Sequence, residues 1–229
     1  MTMKGTEHLS LSLATVLVLL APWLPDNTPQ IAVLCAGVAI GSLLPDTDAK
    51  DSKVHHMNAL SRLFGAVMRP VVMPLMRAIY GAFGYAFNPG HRKSLHSLFG
   101  VGVYSVLLSL FIWVALSLLN RWDQAALLFM AGLVAGGVLH IVEDCCTVAG
   151  CSPFAPFRDT RITGGISTGK RSERRPLHFT AFLVAAAAFA FAARAEHGMP
   201  PGEVMAYAAP LLVLSWGLFF YIAQFGAKS

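Results

Sequence analysis

Long apolar runs separated by short polar stretches dominate this chain. A membrane span needs about 20 mostly apolar residues, and six runs qualify as candidate helices, at roughly 9–24, 30–45, 96–119, 123–143, 177–194 and 204–224. The first two are short. The opening run follows Lys4 in the manner of a secretory signal, but it ends in Pro22-Trp23-Leu24-Pro25 with no small-x-small cleavage site, so it is expected to stay as an uncleaved first helix. A further stretch, about 60–87, alternates differently. On a helical projection Arg62, Arg69 and Arg77 share one side, opposite Leu63, Phe64, Val67, Val71, Leu75 and Ile79, which is the pattern of a helix lying in the membrane interface. Pro70 and Pro74 should kink it; a re-entrant hairpin around Gly81 and Gly84 is the alternative. The fold class expected is therefore all-α, a polytopic membrane protein with about six transmembrane helices plus an interfacial amphipathic helix, in a single domain over 1–229. No internal repeat is visible.

Composition agrees, with 55% hydrophobic and 13% charged residues and a mean hydropathy of +0.60, values that exclude a soluble domain. Charge adds orientation. Fifteen of the 17 Lys and Arg fall in segments that share one side if the N-terminus is cytoplasmic, and only Arg121 and Arg194 fall in the opposite turns. The expected topology is N-in and C-in in the inner (plasma) membrane. On that side the net charge of +5 implies contact with membrane lipids and their anionic headgroups, and nucleic acid is not needed to account for it. Cys35, Cys145, Cys146 and Cys151 lack paired C-x-x-C spacing and are expected to be reduced packing residues. The loop of about 145–176, rich in Gly, Ser, Thr and Arg, reads as a mobile lid.

The informative polar residues stand at the ends of the apolar runs. His8 opens the first, Asp46 and Asp48 close the second, His91 and His96 open the third, and His140 and Asp144 close the fourth. All lie at one membrane depth on the cytoplasmic side, where nitrogen and oxygen donors gathered together read as a metal site. His140 and Asp144 are i, i+4 on one helix face, whereas Glu143 points elsewhere. His91 and His96 are i, i+5, about 140° apart on a continuous helix, so the helix should start between them, with Ser94 as a candidate N-cap. Carboxylates at helix C-termini oppose the macrodipole by roughly 0.3–1 kcal/mol each, and Asp46 and Asp144 call for a compensating positive charge. Three helix N-termini start on the same face and suit an anion, with Arg92, Lys93, Arg174 and Arg175 nearby. His55 and His56 are secondary candidates, His178 is a snorkelling residue, and His197 falls on the outer side.

Glu7-His8, the run Gly41-Ser42-Leu43-Leu44-Pro45-Asp46-Thr47-Asp48, His91-Arg92-x-x-x-His96-Ser97, and Gly137-x-x-His140-x-x-x-Asp144-x-x-Thr147-x-x-Gly150 with Pro156-Phe157 together resemble the YdjM family of inner-membrane metal-dependent hydrolases, some of them LexA-regulated. That family is distantly similar to zinc-dependent phospholipase C and P1 nuclease. The resemblance implies that His8, Asp46, His91, His96, His140 and Asp144 are metal ligands. The chain lacks the second His-x-x-x-Glu pair and the amino-terminal tryptophan ligand of those zinc enzymes, so one or two ions are expected, most simply zinc, with manganese or magnesium as alternatives. The expected function is hydrolysis of a phosphoester in a lipid or lipid-linked substrate by a metal-activated water. Asp46 or Asp48 would act as base or bridge ions, and Arg92 would hold the phosphoryl oxygens. A metal transporter and a non-catalytic scaffold are the rival readings. The H-E-x-x-H of an intramembrane metalloprotease is absent, as are the H-x-x-H-H clusters of a membrane di-iron oxygenase.

Overall fold

The structure is a computed structural model that describes residues 5–48, 68–88, 93–167 and 172–228. Its helices are α1 (Gly5–Leu20), α2 (Leu24–Gly41), α3 (Met73–Ala82), α4 (Leu98–Leu118), α5 (Ala125–Cys145), α6 (Arg175–Ala195) and α7 (Pro201–Ile222). Five segments are long and apolar enough to cross a membrane, and the first of them, Gly5–Gly41, contains both α1 and α2. This segment folds back on itself. Pro22, Pro25 and Pro29 withdraw backbone donors, a 3₁₀ turn spans Ala21–Trp23, and Asn27 leaves helical geometry at φ −133°, so the helix breaks where prolines cannot sustain it. As a result His8, near the start of α1, and Ser42, just past the end of α2, both reach His140.

α2 and α5 make the closest helix pair and run parallel. Gly37 and Gly41 on α2 face Gly132 and Gly136 on α5. A Cβ on any of the four would collide with a main-chain carbonyl of the other helix: Phe129 and Leu133 opposite α2, Leu34 and Val38 opposite α5. Each helix thus carries a Gly-x-x-x-Gly face, which lets two backbones touch where lipid supplies no hydrophobic drive for association. The signal that could have marked this contact is local, in Gly37-Val38-Ala39-Ile40-Gly41 and Gly132-Leu133-Val134-Ala135-Gly136.

Two apolar cores flank this pair. One joins α1, α6 and α7 through Leu11, Val18, Leu183, Leu212, Trp216 and Phe219. The other joins α2, α3, α4 and α5 through Leu44, Met76, Tyr80, Tyr104, Leu133 and Ile141. Large side chains on the outward faces, such as Val106, Phe189, Val213 and Tyr221, are exposed, as suits contact with lipid.

The interfacial segment differs in detail from its prediction. Residues 60–67 lie outside the described residues. From Met68 the chain makes a π-helical turn that contains Pro70 and then enters α3 at Met73, with Pro74 in its first turn. The helix ends at Ala82, short of the expected 87, and Gly84 follows at φ +78°. Val71 and Leu75 are exposed as an outward apolar face requires, while Val72, Met76 and Tyr80, at i, i+4 and i+8, form the stripe that packs on the bundle.

The 145–176 loop is tied down over much of its length, contrary to the expectation of a free lid. Residues Arg161–Thr163 pair antiparallel with Gly226–Lys228 near the C-terminus. Backbone hydrogen bonds link Cys151 to Ile162 in both directions, and Val148 N–H to Ile166. Arg175, expected to face an anion, is engaged: it binds the Glu173 carboxylate at 2.6 and 2.8 Å and the Gly165 carbonyl at 2.8 Å. The Arg175 guanidinium and backbone N–H hold the Glu173 carboxyl down at about 2. The N-terminus of α6 is therefore occupied by a carboxylate of its own chain.

Candidate metal centre

The cluster forms at the seam between the two cores. α1 supplies His8, and the 3₁₀ turn Pro45–Asp48 after α2 supplies Asp46. A second 3₁₀ turn, Ser94–His96, supplies His96, and the last turns of α5 supply His140 and Asp144. Sequence spacing placed these residues at one depth; tertiary packing gathers them into two overlapping groups that share His140. His8 Nε2 stands 3.6 Å from Asp144 Oδ1. His96 Nε2 stands 3.4 Å from Asp46 Oδ1 and 3.7 Å from Asp144 Oδ2, and His140 Nε2 stands 3.7 Å from each of those same two oxygens. Two ligands bound tetrahedrally at about 2.1 Å to one ion are about 3.4 Å apart, so the observed gaps are of the size a coordination sphere requires; His96 Nε2 and Asp46 Oδ1 also share a long hydrogen bond, and the other pairs are beyond hydrogen-bond distance. Two groups, His8-His140-Asp144 and Asp46-His96-His140, could each hold a metal ion.

The imidazoles are oriented for that role. His140 Nδ1 donates to the Ser42 carbonyl at 2.7 Å, a bond that exists because the glycine faces bring the end of α2 against α5. A carbonyl only accepts, so the proton sits on Nδ1 and the Nε2 lone pair is free in the neutral ring. That Nε2 is fully buried with no hydrogen-bond partner. An orphaned buried nitrogen facing two carboxylates at 3.7 Å is what a cation between them would satisfy. His8 stacks on His140 with centroids 3.9 Å apart. His8, His96, His140 and Asp144 are buried, while the Asp46 side chain keeps 14% exposure and marks the open side of the cluster. Burial pushes the Asp46 carboxyl up, while the neighbouring His140, His96 and His8 pull it down, to below the usual carboxylate range.

Other sequence candidates fall elsewhere. His91, Arg92, His55 and His56 lie outside the described residues, as does the side chain of Asp48. His178 and His197 are exposed, and His197 follows the C-terminal end of α6, opposite the cluster. Ser94 does not cap α4: it sits in the 3₁₀ turn and accepts from Asn88 N–H at 2.9 Å. Ser97 is the cap, accepting from Gly100 N–H at 3.0 Å. Glu143 does not point away as its helix position suggested; it is fully buried against His8 at 2.6 Å and Ser12 at 2.8 Å. Beside the cluster, a cavity of about 540 Å³ is lined by Asn88, Lys93, Ser152, Asp159 and Arg161, among others. Cys145 and Cys151 are buried free thiols with Sγ atoms 2.8 Å apart.

A family model described as YdjM inner membrane protein matches residues 3–224, nearly the whole chain. The chain belongs to the YdjM inner membrane protein family. Membership and the apolar helices together establish a multi-pass inner membrane protein. No curated protein and no solved structure matches it. All five clustered residues, from His8 to Asp144, lie inside the matched region.

Proposed function

We propose that this YdjM family member is a metal-dependent hydrolase that cleaves a phosphoester in a lipid or lipid-linked substrate at the cytoplasmic membrane face. The observation that carries the proposal is the convergence of three imidazole Nε2 atoms and two carboxylates at one common end of otherwise apolar helices. Nitrogen and oxygen donors in this number favour zinc, with manganese as an alternative. His140 belongs to both candidate triads, but with Nδ1 committed to Ser42 it has one lone pair to offer, and one lone pair serves one ion. The described donors therefore fit a single ion.

When bound, zinc supplies Lewis acidity and lowers the pKa of a bound water to about 7. The chain's own residues do the rest. His8, His96, His140 and Asp144 hold the centre in a dry wall, and Asp46, the most exposed of the donors, is placed to take a proton from water entering on its side. Lys93, exposed and three residues before His96, lines the adjacent cavity with Asn88 and Arg161 and supplies a cation for a phosphate-bearing headgroup. Arg92, next to it in sequence, is the proposed second donor. N-in and C-in topology and a preference for anionic headgroups follow from the basic residues on that side.

Purified protein loaded with Zn²⁺ or Mn²⁺ should release phosphate or a phosphorylated headgroup from a panel of phospholipids and polyprenyl phosphates. Asp46→Asn should lower that rate by at least about a hundredfold, within the range expected when a proton-transferring group is lost, while the protein remains monodisperse. Reversible loss on chelation is also expected. Metal-loaded protein that cleaves nothing in the panel yet carries a metal ion into proteoliposomes would replace the hydrolase reading with a transporter.

A further inference from the structure

Glu143 is a fully buried carboxylate beside the donor cluster that is in neither candidate triad. Both of its oxygens are engaged by α1. Oε2 meets His8 Nδ1 at 2.6 Å, and Oε1 accepts from the Ser12 hydroxyl at 2.8 Å. His8 and Ser12 are i, i+4, so one face of α1 presents both donors to one carboxylate on α5. The other ring nitrogen of His8, Nε2, faces Asp144 Oδ1 at 3.6 Å. A histidine that binds a metal through Nε2 must carry its proton on Nδ1, and that proton needs an acceptor.

We infer that Glu143 is a positioning residue for the metal centre: its carboxylate holds the Nδ1 proton of His8 and so fixes His8 as an Nε2 ligand. The inference rests on the metal-centre reading above. Chemically it completes a symmetric arrangement. His140 is oriented by a neutral acceptor, the Ser42 carbonyl, and His8 by an anionic one. Because His8 is the one cluster residue contributed by α1, Glu143 links α1 to the centre through it. The carboxylate adds negative charge one bond away from the ligand, which raises ligand basicity and favours a dication over a monocation.

Zinc titration of detergent-purified protein against a competing chelator tests this. Glu143→Gln keeps a carbonyl oxygen for the His8 proton but removes the charge, and should weaken zinc about tenfold; Glu143→Ala should weaken it up to about a hundredfold. The discriminating measurement is the double-mutant cycle with His8→Ala. Once His8 is gone, Glu143→Gln should cost nothing further, whereas a merely structural Glu143 would cost the same in both backgrounds. Equal costs, or an unchanged affinity in Glu143→Gln, would overturn the inference. If the variants do not fold, ¹⁵N-histidine spectra of the zinc-loaded native protein decide: a proton on His8 Nδ1 supports it, and a proton on Nε2 overturns it. Native protein that binds no zinc at all would instead remove the metal centre itself, leaving that failure separable from failure of the Glu143 role.

Discussion

At the scale of the residue, His140 concentrates the argument. It is fully buried, stacked on His8, bonded through Nδ1 to a backbone carbonyl, and left with a partnerless Nε2 equidistant from Asp46 and Asp144. Replacing it by alanine would remove a donor common to both triads. His140→Ala and Asp144→Ala should each abolish stoichiometric zinc in the purified protein by elemental analysis, while His197→Ala, exposed beyond the far end of α6, should retain it. Equal zinc in all three would refute the site as drawn. His8, Asp46, His96, His140 and Asp144 were legible in the chain because each is costly beside an apolar run, so that shared placement demanded a reason. Glu143 was not. Helix geometry turns it about 100° from Asp144, and its partner His8 lies 135 positions away, a distance no local pattern spans.

At the scale of the element, the α2–α5 contact positions the donor cluster. The four glycines let the two backbones meet, and that contact delivers the Ser42 carbonyl to His140. A Cβ on Gly136 would strike the Val38 carbonyl, and main chain cannot move aside as a side-chain tip can. Gly136→Val should therefore destabilise the protein by about 1–3 kcal/mol, the usual cost of overpacking, and weaken zinc binding by misplacing Ser42. Gly102→Val, on an α4 face with nothing within 4 Å, is the matched control and should change neither. Thermal unfolding in detergent and zinc titration of the two variants read this directly; identical behaviour would show that close approach of α2 and α5 is not what supports the centre.

At the scale of the whole molecule, two cores are sewn together at one end by polar groups. The cluster joins them on one face. On the other, Arg194 at the end of α6 pairs with Asp26 in the α1–α2 bend at 2.8 Å. The topology proposed from the asymmetry of Lys and Arg turns the cluster face to the cytoplasm. A membrane-impermeant maleimide should therefore label Ser172→Cys in inverted vesicles and not in spheroplasts, and His197→Cys the reverse, since both positions are exposed and lie toward opposite ends of α6. Labelling of Ser172→Cys from outside intact cells would invert the topology and move the proposed substrate to the other leaflet.

Hydropathy alone determined that the chain is a helical membrane protein and located its helices to within a few residues, because a bilayer sets helix length and the tolerance for charge independently of how helices pack. The same rule exposed the costly residues and hence most of the candidate ligands. Tertiary structure decided what proximity decides. It gathered the five donors into two triads that share His140, and it showed that Glu143 holds His8 while Arg175 serves Glu173. It also closed part of the supposed lid into backbone pairing. Apart from the Arg175–Glu173 pair, these depend on contacts between residues distant in the chain, and side-chain direction across such contacts is fixed only when the helices have packed.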